Sequence, residues 1–141
     1  MENFKGNLSF LLRKHRFSIS HALFRALEAS KIYLYLNFLS RNLYDYGKKR
    51  NTILLDCGCG DGSFTNLLMR LIDLDENNLE ILGLDIDISS LASAKDKKVY
   101  HDVVVADLRY IPLRENSIDI VLCNSVLEHI IGTDKVLREW Y

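Results

Sequence analysis

Long hydrophobic runs are missing from this sequence. No stretch approaches the ~18 apolar residues that a bilayer-spanning helix requires, so a membrane-spanning role is not expected. The early apolar stretch is broken by Lys5, Arg13, Lys14 and Arg16, which argues against a secretory leader. Cysteine is scarce, at positions 57, 59 and 123. No second Cys/His pair stands at zinc spacing, so no metal site is expected. The odd count offers no disulfide framework and suits a reducing compartment, the cytoplasm. Cys57, Cys59 and Cys123 all end apolar runs, where a small buried thiol is the expected role. Internal repeats and low-complexity segments are absent too.

What is there fits one soluble globular domain. The 141 residues are 48% hydrophobic and 26% charged, which allows a core of ordinary size. The net charge of −1 hides an asymmetry. Residues 1–50 carry ten Lys/Arg against three Asp/Glu, and residues 51–141 carry eight against sixteen. A basic leader could dock on the acidic body, hold an anionic substrate, or present a solvated helical face. A nucleic-acid partner is not expected, since no stacking motif or base-reading element accompanies the charge.

Two rhythms divide the chain. Residues 7–46 read as helix: Leu8, Leu11 and Leu12 open an apolar stripe, and Ile32, Leu36, Leu39, Leu43 and Tyr46 recur three and four apart. "YGKKRN" (46–51) is a turn and a boundary, giving an N-terminal helical segment over 1–50 and a second domain over 51–141. From there short apolar runs alternate with helical patterns. Strands are expected at 52–57, 79–85, 101–107 and 117–124. Helices are expected at 63–72 and at 89–97, the latter capped by Ser89 or Ser90, with helical pattern from "VLEHI" to the end and a break at Gly132. This alternation predicts an α/β fold, a doubly wound and mostly parallel sheet of about four strands with helices on both faces.

The densest signal is "ILLDCGCGDGSFT" (53–65). Three glycines follow the first strand directly, where the sheet's ligands bind. Glycine there allows positive φ and lets backbone N–H groups approach a ligand. A helix beginning near Asp61–Ser63 would aim its N-terminal amides at the same place. The dinucleotide spacing G-x-G-x-x-G is not met, because Ser63 stands where its third glycine belongs. A phosphate loop is excluded by the lack of a following Gly-Lys-Ser/Thr.

"LLDCGCGDGSFT" resembles the first motif of class I S-adenosylmethionine-dependent methyltransferases. "GLDID" (83–87) resembles their second-strand acidic motif. "VVVADLRYIPLRENSIDIVLCNSVLEHI" (103–130) resembles the third-strand to fourth-strand block of the subgroup that methylates small molecules and lipids. The resemblance runs from about 52 to 140 and implies a Rossmann-like fold with S-adenosylmethionine as cofactor. It implies that Asp85 accepts from both ribose hydroxyls, that Ile86 packs on the adenine, and that Asp107 and the Leu108 N–H meet the adenine edge. Asp56 and the turn residues Gly58, Cys59, Gly60 and Gly62 would face the methionine end, with Asn124 closing the pocket. The chemistry suits such a ligand independently: a strand-end carboxylate can accept from two hydroxyls, and an acidic pocket suits a sulfonium.

Other residues remain open. His129 could approach a substrate as a base, or pack and cap within its helix. Asp119, inside "SIDIV", reads as structural, and His101–Asp102 as a strand-edge pair. The tyrosines at 33, 35, 44 and 46 could form a lid or belong to a core. The family has seven strands and this chain offers four, so the second domain is expected to be incomplete at its C-terminus. The fourth strand then becomes an edge through which chains could self-associate. The expected function is methyl transfer to a small-molecule or lipid-like acceptor. The rivals are a module that binds the cofactor without chemistry, and a dinucleotide oxidoreductase, which Ser63 disfavours.

Overall fold

Parallel pairing throughout organises the sheet. The computed structural model describes residues 27–35, 51–71 and 79–141. The chain divides into two compact units, Met1–Lys48 with Leu67–Leu74, and Lys49–Asn66 with Asp75–Tyr141. In the first unit residues 27–35 are helical, with Ala29 fully buried and Ile32 half-buried. The rest of the expected leader, including Leu8, Leu11, Leu12, Leu36, Leu39, Leu43, Tyr44, Tyr46 and the turn at Gly47, lies outside the described residues.

The second unit holds the α/β alternation. Its elements are β1 (Thr52–Cys57), α1 (Ser63–Leu71), β2 (Leu79–Asp85), α2 (Ile88–Asp96), β3 (Asp102–Val105), β4 (Ile120–Cys123), a 3-10 turn (Leu127–His129) and α3 (Thr133–Glu139). The end of α1, from Leu67 onward, counts with the first unit. The sheet order is β3-β2-β1-β4 and every pairing is parallel. The chain steps outward from β1 through β2 to β3, then returns to the far side of β1. This reversal opens a crevice at the carboxyl ends of β1 and β4, where such sheets bind ligands. Among the described residues β4 has β1 as its one neighbour, so it forms an edge as expected.

Side chains alternate across a strand, which sorts the core into two faces. Leu55, Cys57 and Leu84 join Leu108 and Val136 in one buried cluster, against which Trp140 and Ile118 pack. Leu54, Asp56 and Ile81 are buried on the opposite side. There α2, with Leu91 and Ala94 buried, runs alongside β2 and β3. Full burial of each large apolar side chain stabilises the fold by about 1.5–3 kcal/mol.

Polar groups set the strand and helix ends. Asp119 reads as structural in the sequence, and its carboxylate accepts from the Ile53 N–H at 3.0 Å while its own N–H donates to Ile53 O at 2.9 Å. His101 accepts from the Ile81 N–H through Nδ1 at 3.0 Å and donates its N–H to Ile81 O at 2.8 Å, a strand-edge role. The N-cap of α2 differs from expectation. It is Asp87, whose carboxylate accepts from the N–H groups of both Ser89 and Ser90. A carboxylate with two oxygens satisfies two orphan amides at once, which a single serine hydroxyl two or three residues later cannot do.

Candidate functional site

β1 runs into a turn, Gly58–Gly62, that is tied to the neighbouring strand by its backbone. The N–H groups of Gly58 and Cys59 both donate to Leu84 O, at 2.7 and 3.1 Å. The Gly60 N–H donates to Asp85 Oδ2 at 2.8 Å, and the Asp87 N–H to Asp85 Oδ1 at 2.9 Å. Asp85, at the end of β2, is thus held by two backbone donors, one on each oxygen. Each oxygen keeps lone-pair capacity for another donor.

The three glycines of the turn share positive φ but not surroundings. A Cβ at Gly58 would collide with the Val126 side chain, and one at Gly62 would come within 2.7 Å of Tyr100 Cε2. A Cβ at Gly60 (φ 55°) would meet no atom of the described residues within 4 Å. Two of the glycines are required by the protein's own packing. Of the three, Gly60 is the one that faces space open among the described residues.

Beneath the turn lies a buried polar knot. Asp56 Oδ2 accepts from Thr65 Oγ1 at 2.5 Å and from Tyr100 OH at 2.7 Å. Burial raises the Asp56 carboxyl above its ordinary value, while the two hydroxyls pull it back. Burial, and then the charge of Asp56, pushes the Tyr100 hydroxyl far up, so it stays a donor. Burial likewise pushes the Cys59 thiol up to about 12 and the Cys123 thiol to about 11. Neither is a poised nucleophile; Cys57 and Cys59 are buried as the sequence suggests, whereas Cys123 is only half-buried.

Beside the turn opens a cavity of about 510 Å³. Gly58, Asp85, Ile86, Asp107 and Leu108, all expected at the site, line it. Asp56, Cys59 and Gly62 are buried and not part of that lining, and Gly60, also outside it, connects to the site through its bond to Asp85. Asn124 follows β4 directly, and its Nδ2 is buried without a hydrogen-bond partner among the described residues. His129 lines the cavity too. It sits in the 3-10 turn and is exposed rather than packed inside an α-helix.

Sequence reasoning missed Arg109, Ser125 and the apolar wall of Val126, Ile130 and Ile131. Arg109 clasps Asp107 through Nε at 3.0 Å and Nη2 at 2.5 Å. This guanidinium, first through its hydrogen bonds, holds the Asp107 carboxyl down at about 2. An arginine two residues after a strand-end aspartate was the available signal for that pair. Nothing comparable marked the wall, because its members belong to one irregular segment. Among the described residues no cluster of His, Cys, Asp and Glu could hold a metal ion, and no helix is long and apolar enough to cross a membrane.

With this geometry in view, comparison with known proteins decides the family. The methyltransferase domain matches residues 55–141. The chain belongs to the class I S-adenosylmethionine-dependent methyltransferases. An uncharacterized protein of Methanocaldococcus jannaschii is 33% identical to this methyltransferase chain over 92 residues, covering 65% of the chain and 36% of that protein. The malonyl-[acyl-carrier protein] O-methyltransferase of Yersinia pestis is 29% identical over 89 residues, covering 63% and 31%. Among solved structures, the plantazolicin methyltransferase BpumL, in complex with a monoazolic desmethylPZN analog and SAH, superposes with a TM-score of 0.59 at 17% identity, covering 81% of this chain and 40% of that one. That likeness establishes the Rossmann-like methyltransferase fold. The methyltransferase segment matched here spans about a third of the length of those two curated relatives. Its cofactor is that of the family, S-adenosylmethionine.

Proposed function

We propose that the cavity beside the glycine turn binds S-adenosylmethionine and that the chain directs its methyl group to a small-molecule acceptor with an apolar body. One observation carries the reading: the 2.8 Å bond from the Gly60 N–H to Asp85. It joins the open face of the turn to a carboxylate that still has acceptor capacity for two ribose hydroxyls.

The residues fit the group. Asp85 would take the hydroxyls, Ile86 would lie on the adenine, and Asp107 with the Leu108 N–H would meet its edge. Asp107 can do so while clasped by Arg109, because a carboxylate offers about four lone-pair sites. The space over Gly60 would take the methionine moiety. Asn124, with its unpartnered buried Nδ2, would donate to the methionine carboxylate. Asp56, Cys59 and Gly62 would keep the turn in shape. When bound, the cofactor supplies an electrophilic methyl group on a sulfonium.

The chain's own contribution is alignment and exclusion of water. Val126, Ile130 and Ile131 form an apolar wall that would seat the body of the acceptor. His129, the imidazole on that side of the cavity, would take the proton that the acceptor releases. The direct test incubates the chain with cofactor labelled in its methyl group and a panel of apolar carboxylic acids, alcohols and thiols. Label must appear in an organic product. A second reading, cofactor binding without transfer, draws on the short span shared with the relatives. Tight binding with no labelled product from any acceptor would favour it.

A further inference from the structure

We infer that Tyr100 is a positioning residue for the glycine turn, its ring and hydroxyl together holding Gly60 where its N–H meets Asp85. Tyr100 comes from the short connection between α2 and β3 and is absent from the cavity lining. Whatever it contributes to the site must pass through other residues.

Three elements converge on this one side chain. Its hydroxyl donates to Asp56 Oδ2 at 2.7 Å, at the end of β1 just before the turn. On the turn, a Cβ at Gly62 would come within 2.7 Å of Cε2. On β2, a Cβ at Gly83 would lie 3.1 Å from Cδ1, two residues before Asp85. The ring therefore fills the space that Gly62 leaves, and it shares the space that Gly83 leaves with Cys59 Sγ, 3.0 Å from a Cβ there. A tyrosine suits the task, since it is rigid, large and has a polar tip that needs a partner when buried. Thr65 adds a second donor to the same carboxylate oxygen at 2.5 Å, so Asp56 does not depend on Tyr100 alone. That redundancy separates positioning from simple stability: removing the Tyr100 hydroxyl leaves the buried carboxylate with Thr65 as a partner but unties the ring from β1.

The inference rests on the proposed cofactor site for its binding arm only. Tyr100→Phe is compared with wild type in two measurements. Amide hydrogen exchange of the ligand-free protein should show the Gly60 N–H exchanging roughly tenfold faster, with the β2 amides of Leu82 and Leu84 unchanged, as local opening requires. Titration with S-adenosylhomocysteine should show affinity weakened by roughly tenfold, the scale of one lost positioning contact. Tyr100→Leu, which removes both ring and hydroxyl while Thr65 still donates to Asp56, provides a second variant should Tyr100→Phe not fold, and it must speed Gly60 exchange likewise. Unchanged Gly60 exchange overturns the inference, and so does faster exchange with unchanged affinity. If wild type fails to bind the ligand, the cofactor reading falls, and the inference is decided by the exchange measurement alone.

Discussion

Gly60→Ala separates the two reasons a turn can need glycine. Its φ of 55° lies in the left-handed region, which costs an L-residue roughly 1–2 kcal/mol. Lower entropy of the unfolded chain returns about 0.4–1 kcal/mol. The new Cβ meets no atom of the described residues within 4 Å, so no packing term is added from them. The net loss is about 1 kcal/mol, a fall in Tm of roughly 2–5 °C for a chain of this size. Gly58→Ala has the same backbone cost plus a collision with Val126, whose Cγ1 would stand 2.8 Å from the Cβ. Overpacking of that kind adds about 1–3 kcal/mol. Calorimetric scans should therefore rank Gly58→Ala well below Gly60→Ala. Binding runs the other way at position 60. If the methionine moiety lies over the turn, the methyl group intrudes on it, and affinity for S-adenosylhomocysteine falls roughly 10- to 100-fold. A Gly60→Ala protein that binds as wild type does, or that unfolds as readily as Gly58→Ala, would refute the placement.

Three further outcomes follow from the same geometry. Asp85→Ala should cost about 2–4 kcal/mol of cofactor binding by titration; Asp85→Asn should be hardly milder, because its NH2 must face either the Gly60 or the Asp87 N–H. Burial raises the Asp56 carboxyl, so its contribution to stability is fully present below the ordinary carboxylate value and is lost as pH rises through the folded value. Asp56→Asn, which accepts from the same hydroxyls without charge, should then melt no lower than wild type near neutrality, with the difference closing below about pH 4; a large loss at neutral pH would contradict this. His129→Ala should lower kcat by roughly 10²- to 10⁴-fold while leaving cofactor affinity largely intact.

The two central strands were legible to the residue. "TILLDC" and "LEILGLD" are apolar runs with abrupt ends, and β1 and β2 occupy those positions. The outer strands are shorter than expected, β3 at 102–105 and β4 at 120–123. Ladder-like bonds continue past them, from the Ala106 N–H to Asp85 O and from the Asp119 N–H to Ile53 O, so the difference is one of boundary. Asp85 and Asp107 could be found because each closes an apolar run, although in the structure Asp85 ends β2 and Asp107 stands two residues past β3. The purpose of the glycines could not be divided from sequence, because Gly58 and Gly62 answer to Val126 and Tyr100, which are distant along the chain. The Asp56–Thr65–Tyr100 knot was hidden for the same reason: a tyrosine between a short helix and a strand carries no local sign of a buried partner.

Calorimetric titration of the chain with S-adenosylhomocysteine tests the central claim most directly. Saturable binding at one ligand per chain is predicted, abolished or strongly weakened by Asp85→Ala and absent with NAD. No binding of this ligand, together with stabilisation by NAD, would contradict the account.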